Sequence, residues 1–269
     1  MIESVADREI YPNAPLKLVA FEVRVPHVPE FATREGAVAV YERLRDVVPI
    51  IGPSQPTIEI QAGGSASSIS SGPLRMLDRR RMLSITVGPS ALVLETTDYT
   101  RFEDFRGVIE RTLVAAADAA ELPGMQRIGL RYIDEVRVPG VETALDWRGY
   151  LHPALLATIE LDGEFRAASV QGHAEYRVSE REQTNLRYGA LLGRVVDTAG
   201  PLRLKSADDG PFFLIDIDSF WTASEEELPA FSPEAVLGIC DSLHRPVRTL
   251  FETAITDKLR DDVLRKEVR

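Results

Sequence analysis

The stretch Phe212–Thr222, FFLIDIDSFWT, alternates apolar and polar side chains in the way that is typical of a β-strand. Phe213, Ile215 and Ile217 fall on one face of this strand, and Asp216 and Asp218 fall on the other. A strand with one apolar face needs a second layer of structure that covers that face. The stretch therefore predicts a half-buried strand, and it raises the question whether the two aspartates bind a metal ion or only line a solvated face.

The same alternation recurs along the chain and predicts an α+β fold with a mainly antiparallel sheet. We expect strands at 16–25, 82–96, 127–137, 165–177 and 211–219, and two major helices at 102–120 and 233–262 that cover one side of the sheet. Thr33 is the predicted N-cap of a further helix that carries Val40 and Leu44, and Ser232 is the predicted N-cap of the C-terminal helix. The C-terminal helix is the longer one. It contains Pro246 within its apolar stripe, so we expect a kink or a split at that point.

Two stretches have the same order of elements. LVLETTDYTRFEDFRGVIERTL, from Leu92, reads as a strand that ends in Asp-Tyr-Thr and leads into a helix. FFLIDIDSFWTASEEELPAFSPEAVLGI, from Phe212, reads as a strand that ends in Asp-Ser-Phe-Trp-Thr and also leads into a helix. This similarity predicts a single co-linear domain over 1–269, built from two loosely repeated halves at 14–140 and 141–269.

Composition and charge exclude several classes of function. The chain has 269 residues, with 31 Lys and Arg against 42 Asp and Glu, and a formal net charge of −11. Such a surface repels phosphate backbones, so nucleic acid is not an expected partner. No apolar stretch approaches the roughly 20 residues that span a bilayer, and the first residues do not read as a secretory signal. We therefore expect a cytoplasmic protein without a membrane partner.

Cysteine and histidine give no sign of a metal site. The single cysteine, Cys240, cannot form an intrachain disulfide, and the four histidines do not have the spacing of metal ligands. The chain also lacks the Gly-rich motifs that bind dinucleotides or nucleoside triphosphates. The sequence therefore predicts no metal site and no cofactor.

Four segments together resemble a known family. They are YPNAPL at Tyr11–Leu16, RIGLRYIDEV at Arg127–Val136, FFLIDID at Phe212–Asp218 and FETAITDKL at Phe251–Leu259. They are similar to those of a sporadically distributed family of uncharacterised prokaryotic proteins, whose members open with a Pro-x-Ala-Pro-Leu-type segment. The resemblance covers nearly the whole chain. It implies one co-linear domain and a patchy, mobile or defence-associated distribution, and it supplies no catalytic residues.

Asp216 and Asp218 are the first candidate site. Paired carboxylates at this spacing hold Mg²⁺ in many enzymes of phosphoryl transfer, because a hard cation prefers oxygen ligands. A nucleotidyltransferase would also need a Gly-Ser loop shortly before the pair, whereas Gly63, Gly64 and Ser65 lie about 150 residues upstream. The spacing therefore favours a solvated strand face that ends in a cap for the next helix.

Arginines form the second candidate site. RMLDRRRM, Arg75–Met82, lies beside a Gly- and Ser-rich segment, and arginines next to such a segment could bind a phosphate or an acidic partner. The residues expected to bind a ligand or partner are Arg75, Arg79, Arg80 and Arg81, extended by Arg127 and Arg131 on a predicted strand. The alternative is that the charges at this loop only discourage the pairing of strand edges.

His173 and Glu175 form the third candidate site. They lie two residues apart and therefore share one strand face, where a His–carboxylate pair would suit a general base. No serine or cysteine nucleophile motif accompanies them. This absence favours a structural histidine over a catalytic one.

Three hypotheses for the function follow. The first is a non-enzymatic interaction or regulatory protein, antitoxin-like or defence-associated, that binds a protein partner and could also form a homodimer. The second is a metal-dependent phosphoryl-transfer or nuclease-like enzyme that uses Asp216 and Asp218. The third is a protein that binds a small ligand between the sheet and the long helix. The lack of a catalytic motif favours the first.

Overall fold

The computed structural model describes residues 9–52, 57–58, 69–70, 73–161, 167–195, 200–204, 209–224 and 226–266. The segment Gly63–Ser65, which the nucleotidyltransferase hypothesis would use, lies outside the described residues. So does most of the Gly- and Ser-rich stretch 62–73, for which the sequence predicts high mobility.

Nine strands form one sheet in which every neighbouring pair is antiparallel. Their bounds are β1 Leu16–Arg24, β2 Ile50–Ile51, β5 Leu74–Leu77, β6 Leu83–Gly88, β7 Ala91–Thr96, β8 Arg127–Val136, β9 Val170–Arg177, β10 Glu182–Gly193 and β11 Gly210–Thr222. A separate pair consists of β3 Thr57–Ile58 and β4 Ile69–Ser70. The order across the large sheet is β2-β5-β6-β7-β1-β8-β11-β10-β9. The predicted α+β antiparallel fold is confirmed.

Three long helices and one short one complete the described fold. They are α1 Arg34–Leu44, α2 Phe102–Ala119, α3 Pro233–Ala254 and α4 Asp257–Leu259. The N-termini of α1 and α3 follow from the sequence, because Thr33 and Ser232 each accept a hydrogen bond from a backbone N–H of the first turn, at 3.1 Å in both cases. These caps fix where each helix begins relative to the strand before it.

Helix α3 continues through Pro246 without interruption. A proline has no N–H, so it removes the bond that would reach the carbonyl of Ser242, but the turns on both sides keep the helix intact. Of the two predicted outcomes, the split is therefore wrong. The helix ends at Ala254, and Thr256 caps the short α4 that follows.

The sheet order has a twofold pattern. Strands β1 and β8 are neighbours at the centre, and each is followed outward by a three-stranded meander: β7, β6 and β5 on one side, and β11, β10 and β9 on the other. Within each meander the strand that comes last in the chain leads into a long helix: β7 leads into α2, and β11 leads into α3. In this topology the second half begins with β8, at Arg127, although β8 falls before the 140/141 boundary that the sequence suggested.

The two faces of the sheet differ. One face supplies Phe21, Leu130 and Ile217 to the main core, where residues of all three long helices pack against them. The segment 144–161, with three short 3₁₀ turns, also covers this face, and its Trp147 ring lies 5.5 Å from that of Phe213. The alternate residues of the strands point to the opposite side, named the outer face below. No helix in the described parts of the chain covers the outer face.

Candidate functional site

Six of the candidate residues come together on the outer face. Strands β8, β11, β10 and β9 are consecutive neighbours, and residues opposite each other in the register share a face. The six are Arg127, Arg131, His173, Glu175, Asp216 and Asp218. One row across the strands contains Asp216, Arg187 and His173, and the next contains Arg131, Asp218, Asn185 and Glu175. Residues that are far apart in sequence thus form one charged surface.

Asp216 lies beneath Arg131. The Nε and one terminal nitrogen of Arg131 donate to the two carboxylate oxygens of Asp216 at 2.7 and 2.6 Å. This bidentate bond raises the pKa of the Arg131 guanidinium, and it leaves the Asp216 side chain 7% exposed against 40% for that of Arg131. The prediction that Asp216 is solvated is therefore wrong, because the long arginine side chain lies across the carboxylate.

Arg127 links two carboxylates. Its guanidinium donates to Glu22 at 2.9 Å and to Asp218 at 3.4 Å, and it lies 4.6 Å above the ring of Phe220. Burial raises the pKa of Asp218, and the charge of Arg127 opposes that rise. Asp218 is thus half-buried and paired with arginine, in agreement with the prediction of a structural strand face.

The arginines occupy the atoms that a cation would need. Both carboxylate oxygens of Asp216 accept from Arg131, and Asp218 accepts from Arg127. Among the described residues no group of three or more His, Cys, Asp or Glu side chains could hold a metal ion. A magnesium ion at this pair would have to displace a bidentate arginine and obtain its remaining ligands from water or substrate.

His173 and Glu175 lie on β9, the last strand of the sheet, and both are exposed. Their register partners on β10 are Arg187 and Asn185, both outer-face residues. Among the described residues, their direct neighbours on β10 are not nucleophiles. His173 and Glu175 form part of the charged surface on the outer face.

The remaining four candidates do not join this surface. Arg75 lies on the outer face, but on β5, near the opposite edge, where it bonds Thr86 at 3.4 Å. Arg79, Arg80 and Arg81 lie in the turn between β5 and β6, and Arg80 bonds Asp98 at 2.7 Å. The turn lies at one end of the sheet. The predicted cluster of six arginines is therefore divided among three places: β5, the turn between β5 and β6, and β8.

Other charged residues of the surface were not singled out from the sequence. They are Glu22, Arg24, Arg177 and Arg187, and with the six candidates they form what is named the charged face. Arg187 lies between the apolar Leu186 and Tyr188, so the alternation predicts that it points to the polar face of its strand. The sequence does not predict that Arg187 lies next to Asp216, because only the pairing of β10 with β11 places the two residues side by side.

A pocket of about 530 Å³ lies at the end of β9, β10 and β11, next to the charged face. Arg177, Gln183 and Phe220 contribute outer-face side chains to its wall. The remainder of the lining includes Arg181 and four glutamates: Glu180, Glu182, Glu226 and Glu227. The pocket is open to solvent and its lining is mainly polar, so it lacks the apolar enclosure that is usual for small-molecule sites.

A buried carboxyl that no sequence pattern singles out lies on the helix side of the sheet. Asp134 on β8 is 4% exposed, opposite Ile215. No hydrogen bond or ion pair reaches its side chain from any residue that the structure describes. Burial, and next the negative charge of Asp216, raise the pKa of Asp134 to about 8. This carboxyl is therefore largely protonated at neutral pH.

Neither a scan against models of known protein families nor a search of the curated proteins finds a match to this chain. Within the described residues, no helix combines the length and the apolar composition that crossing a membrane requires.

Proposed function

We propose that the protein is a non-enzymatic interaction protein, antitoxin-like or defence-associated, that binds an acidic segment of a protein partner on its charged face. The observation that carries this proposal is that two arginines of the charged face reach further into solvent than the carboxylates they bond. Arg131 is 40% exposed against 7% for Asp216, and Arg24 is 57% exposed against 25% for Glu22. At these two pairs, a partner that approaches the face meets the guanidinium group before the carboxylate.

The charge balance of this face differs from that of the whole chain. Its five arginines, at 24, 127, 131, 177 and 187, exceed by one its four carboxylates, at 22, 175, 216 and 218, with Glu95 and Glu135 elsewhere on the same side of the sheet, whereas the chain has a net charge of −11. A locally basic face on an acidic protein guides an acidic partner towards one side. The acidic remainder of the surface opposes the binding of a long phosphate backbone.

Arg127 and Arg131 are held in place on this face before any partner binds. Arg131 donates from Nε and one terminal nitrogen to Asp216, and Arg127 is bonded to Glu22 and Asp218. Ordering a flexible arginine usually costs free energy on binding, so pre-ordered side chains reduce that cost. Each guanidinium still has donors that are not used by its carboxylate, and these can bond a partner's carboxylates.

The experiment measures the affinity for labelled poly-L-glutamate by fluorescence anisotropy, because this polymer is the simplest acidic chain. We expect binding that weakens with salt. Arg24→Glu with Arg187→Glu reverses two exposed charges of the charged face, and it should raise the Kd about tenfold or more. The matched control is Arg34→Glu with Arg45→Glu, two exposed residues at the start and just after the end of α1, where the Kd should change little.

Three results would contradict the proposal. They are a wild type that does not bind poly-L-glutamate, a control pair that weakens binding as much as the charged-face pair, and labelled duplex DNA that binds more tightly than the acidic polymer. A fourth concerns the enzyme alternative. If calorimetry detects Mn²⁺ binding that Asp216→Asn with Asp218→Asn abolishes, while the variant stays folded, the metal-dependent hypothesis replaces this one.

A further inference from the structure

Strand β9 has a free edge. The sheet order ends at β9, and within the described residues its only neighbour is β10. An edge strand presents unpaired N–H and C=O groups that can accept a further strand. Two apolar side chains are exposed at or just after this strand, Tyr176 at 42% and Val178 at 46%. The edge is therefore both unpaired and partly apolar.

The sequence of β9, VQGHAEYR, is complementary to itself. If a second copy pairs antiparallel with Ala174 opposite Ala174, then His173 of each copy lies opposite Glu175 of the other, and Gln171 lies opposite Arg177. The twofold axis stands perpendicular to the sheet, so every contact occurs twice. Cross-strand pairs of opposite charge or with hydrogen bonds stabilise an antiparallel ladder.

Neighbouring registers lack this complementarity. A shift that puts Glu175 opposite Glu175 also puts His173 opposite Arg177, and both pairs bring like charges together when the histidine is protonated. The opposite shift puts His173 opposite His173. Like charges directly opposite each other destabilise a strand pair, and a shift by one residue would turn the charged side chains to the wrong face. The register centred on Ala174 is thus favoured.

The helix-side face of β9 fits the same register. Gly172 would lie opposite Tyr176 of the second copy. The ring of Tyr188 already lies over Gly172 within one copy, since a Cβ at position 172 would stand 2.2 Å from its ring carbon Cζ. The incoming tyrosine can therefore pack beside the ring of Tyr188, a known way to stabilise a strand glycine, and its own exposed area becomes buried.

We propose that two copies of this chain pair edge to edge through β9, antiparallel and centred on Ala174, to form one continuous sheet of twice the width. The charged faces of the two copies then lie side by side on the same surface. This inference rests on the edge and its sequence, and not on the proposed binding of an acidic partner.

Sedimentation equilibrium tests the proposal, and we expect a dimer for the wild type. In a dimer of the Glu175→Arg variant, His173 of each copy lies opposite a cation of the other copy. In a dimer of the His173→Glu variant, Glu175 of each copy lies opposite an anion. Each single variant should therefore raise the dimer Kd about tenfold or more. The double variant His173→Glu with Glu175→Arg restores opposite charges and should dimerise again. A mixture of the two single variants should form heterodimers. Glu180→Arg, in the turn outside the ladder, is the matched control.

A cysteine at position 174 tests the register directly. In an antiparallel pair the two Cα atoms at the twofold axis are about 4.5–5.5 Å apart, a distance that a disulfide can bridge. Ala174→Cys should therefore form a covalent dimer on mild oxidation, and Glu180→Cys should not. A monomeric wild type, a dimer that Glu175→Arg leaves intact, a double variant that stays monomeric, or an Ala174→Cys variant that does not cross-link would each overturn the proposal.

Discussion

At the scale of single residues, the carboxyls of Asp134 and Asp216 show how the sheet separates two environments. Asp216 points to the outer face and is neutralised by a bidentate arginine. Asp134, on the neighbouring strand, points to the helix side and has no bonding partner among the described residues. Both are buried, yet only the first has its charge compensated. The cost of burying the second therefore depends on pH.

Replacing Asp134 by asparagine should change how stability depends on pH. In the unfolded chain an aspartate has a pKa of about 3.9, whereas burial raises the pKa of Asp134 to about 8 in the folded protein. Between these values the folded protein holds a proton that the unfolded chain has released, so the free energy of unfolding falls as the pH rises. Asp134→Asn removes this loss, and its stability relative to wild type should rise from pH 4 to pH 8 and then level off.

Urea denaturation of both proteins across that pH range measures the effect. All other ionisable groups are shared, so the difference between the two curves isolates Asp134. Because one pKa unit corresponds to about 1.4 kcal/mol, the difference between the two ends of the range should reach a few kcal/mol. A difference that stays constant with pH would mean that Asp134 is not protonated in the folded protein.

At the scale of elements, the helix starts depend on local sequence and the strand contacts do not. Ser232, Pro233 and Glu234 form an N-cap, a proline at the first position and an acidic first turn, and α3 begins where this pattern predicts. The pairing of β11 with β8 and β10 involves no comparable local pattern. The pairing of β11 with β8 joins residues about 85 positions apart, such as Arg131 and Asp216.

Removing the α3 cap should destabilise the protein by a predictable amount. The hydroxyl of Ser232 accepts from the N–H of Ala235 at 3.1 Å. Ser232→Ala leaves that donor without its partner and should lower the free energy of unfolding by about 1 kcal/mol, whereas Ser232→Asp keeps an acceptor and should lower it by less. Chemical denaturation measures both. Equal losses in the two variants would show that the cap does not contribute through this hydrogen bond.

At the scale of the whole molecule, the two topological halves share one core. Core residues of the first half, such as Phe21 and Ile109, belong to the same apolar cluster as Ile217 and Leu243 of the second. The halves also share the ladder between β1 and β8 at the centre of the sheet. Neither half can bury its apolar face without the other, so we expect them to unfold together.

Two optical probes can test this cooperativity. Both tryptophans, Trp147 and Trp221, are buried in the second half, so their fluorescence reports on that half alone. Far-UV circular dichroism reports on all helices and strands. The two transitions should coincide in urea, since one core spans the molecule. A dichroism transition that precedes the fluorescence transition would show that the first half unfolds on its own.

The expected strands and helices could be read from the sequence because they depend on short-range periodicity. The alternation around Ile215 and the caps at Thr33 and Ser232 are local signals, and the structure confirms them. The prediction that Asp216 is solvated was wrong because the environment of this carboxylate depends on a contact that is distant in sequence. Its burial depends on Arg131, and no local pattern shows that the two strands are neighbours.

The sequence by itself determined the α+β class, the antiparallel strands with one apolar face, and the starts of α1 and α3, because hydrophobic periodicity and helix caps act over a few residues. Only the tertiary structure decided that β1 and β8 meet at the centre, that six candidate residues share the charged face, and that β9 is left at the edge. These features depend on which strands pair across long stretches of chain. That choice minimises the exposed apolar area of the whole molecule, and no single segment encodes it.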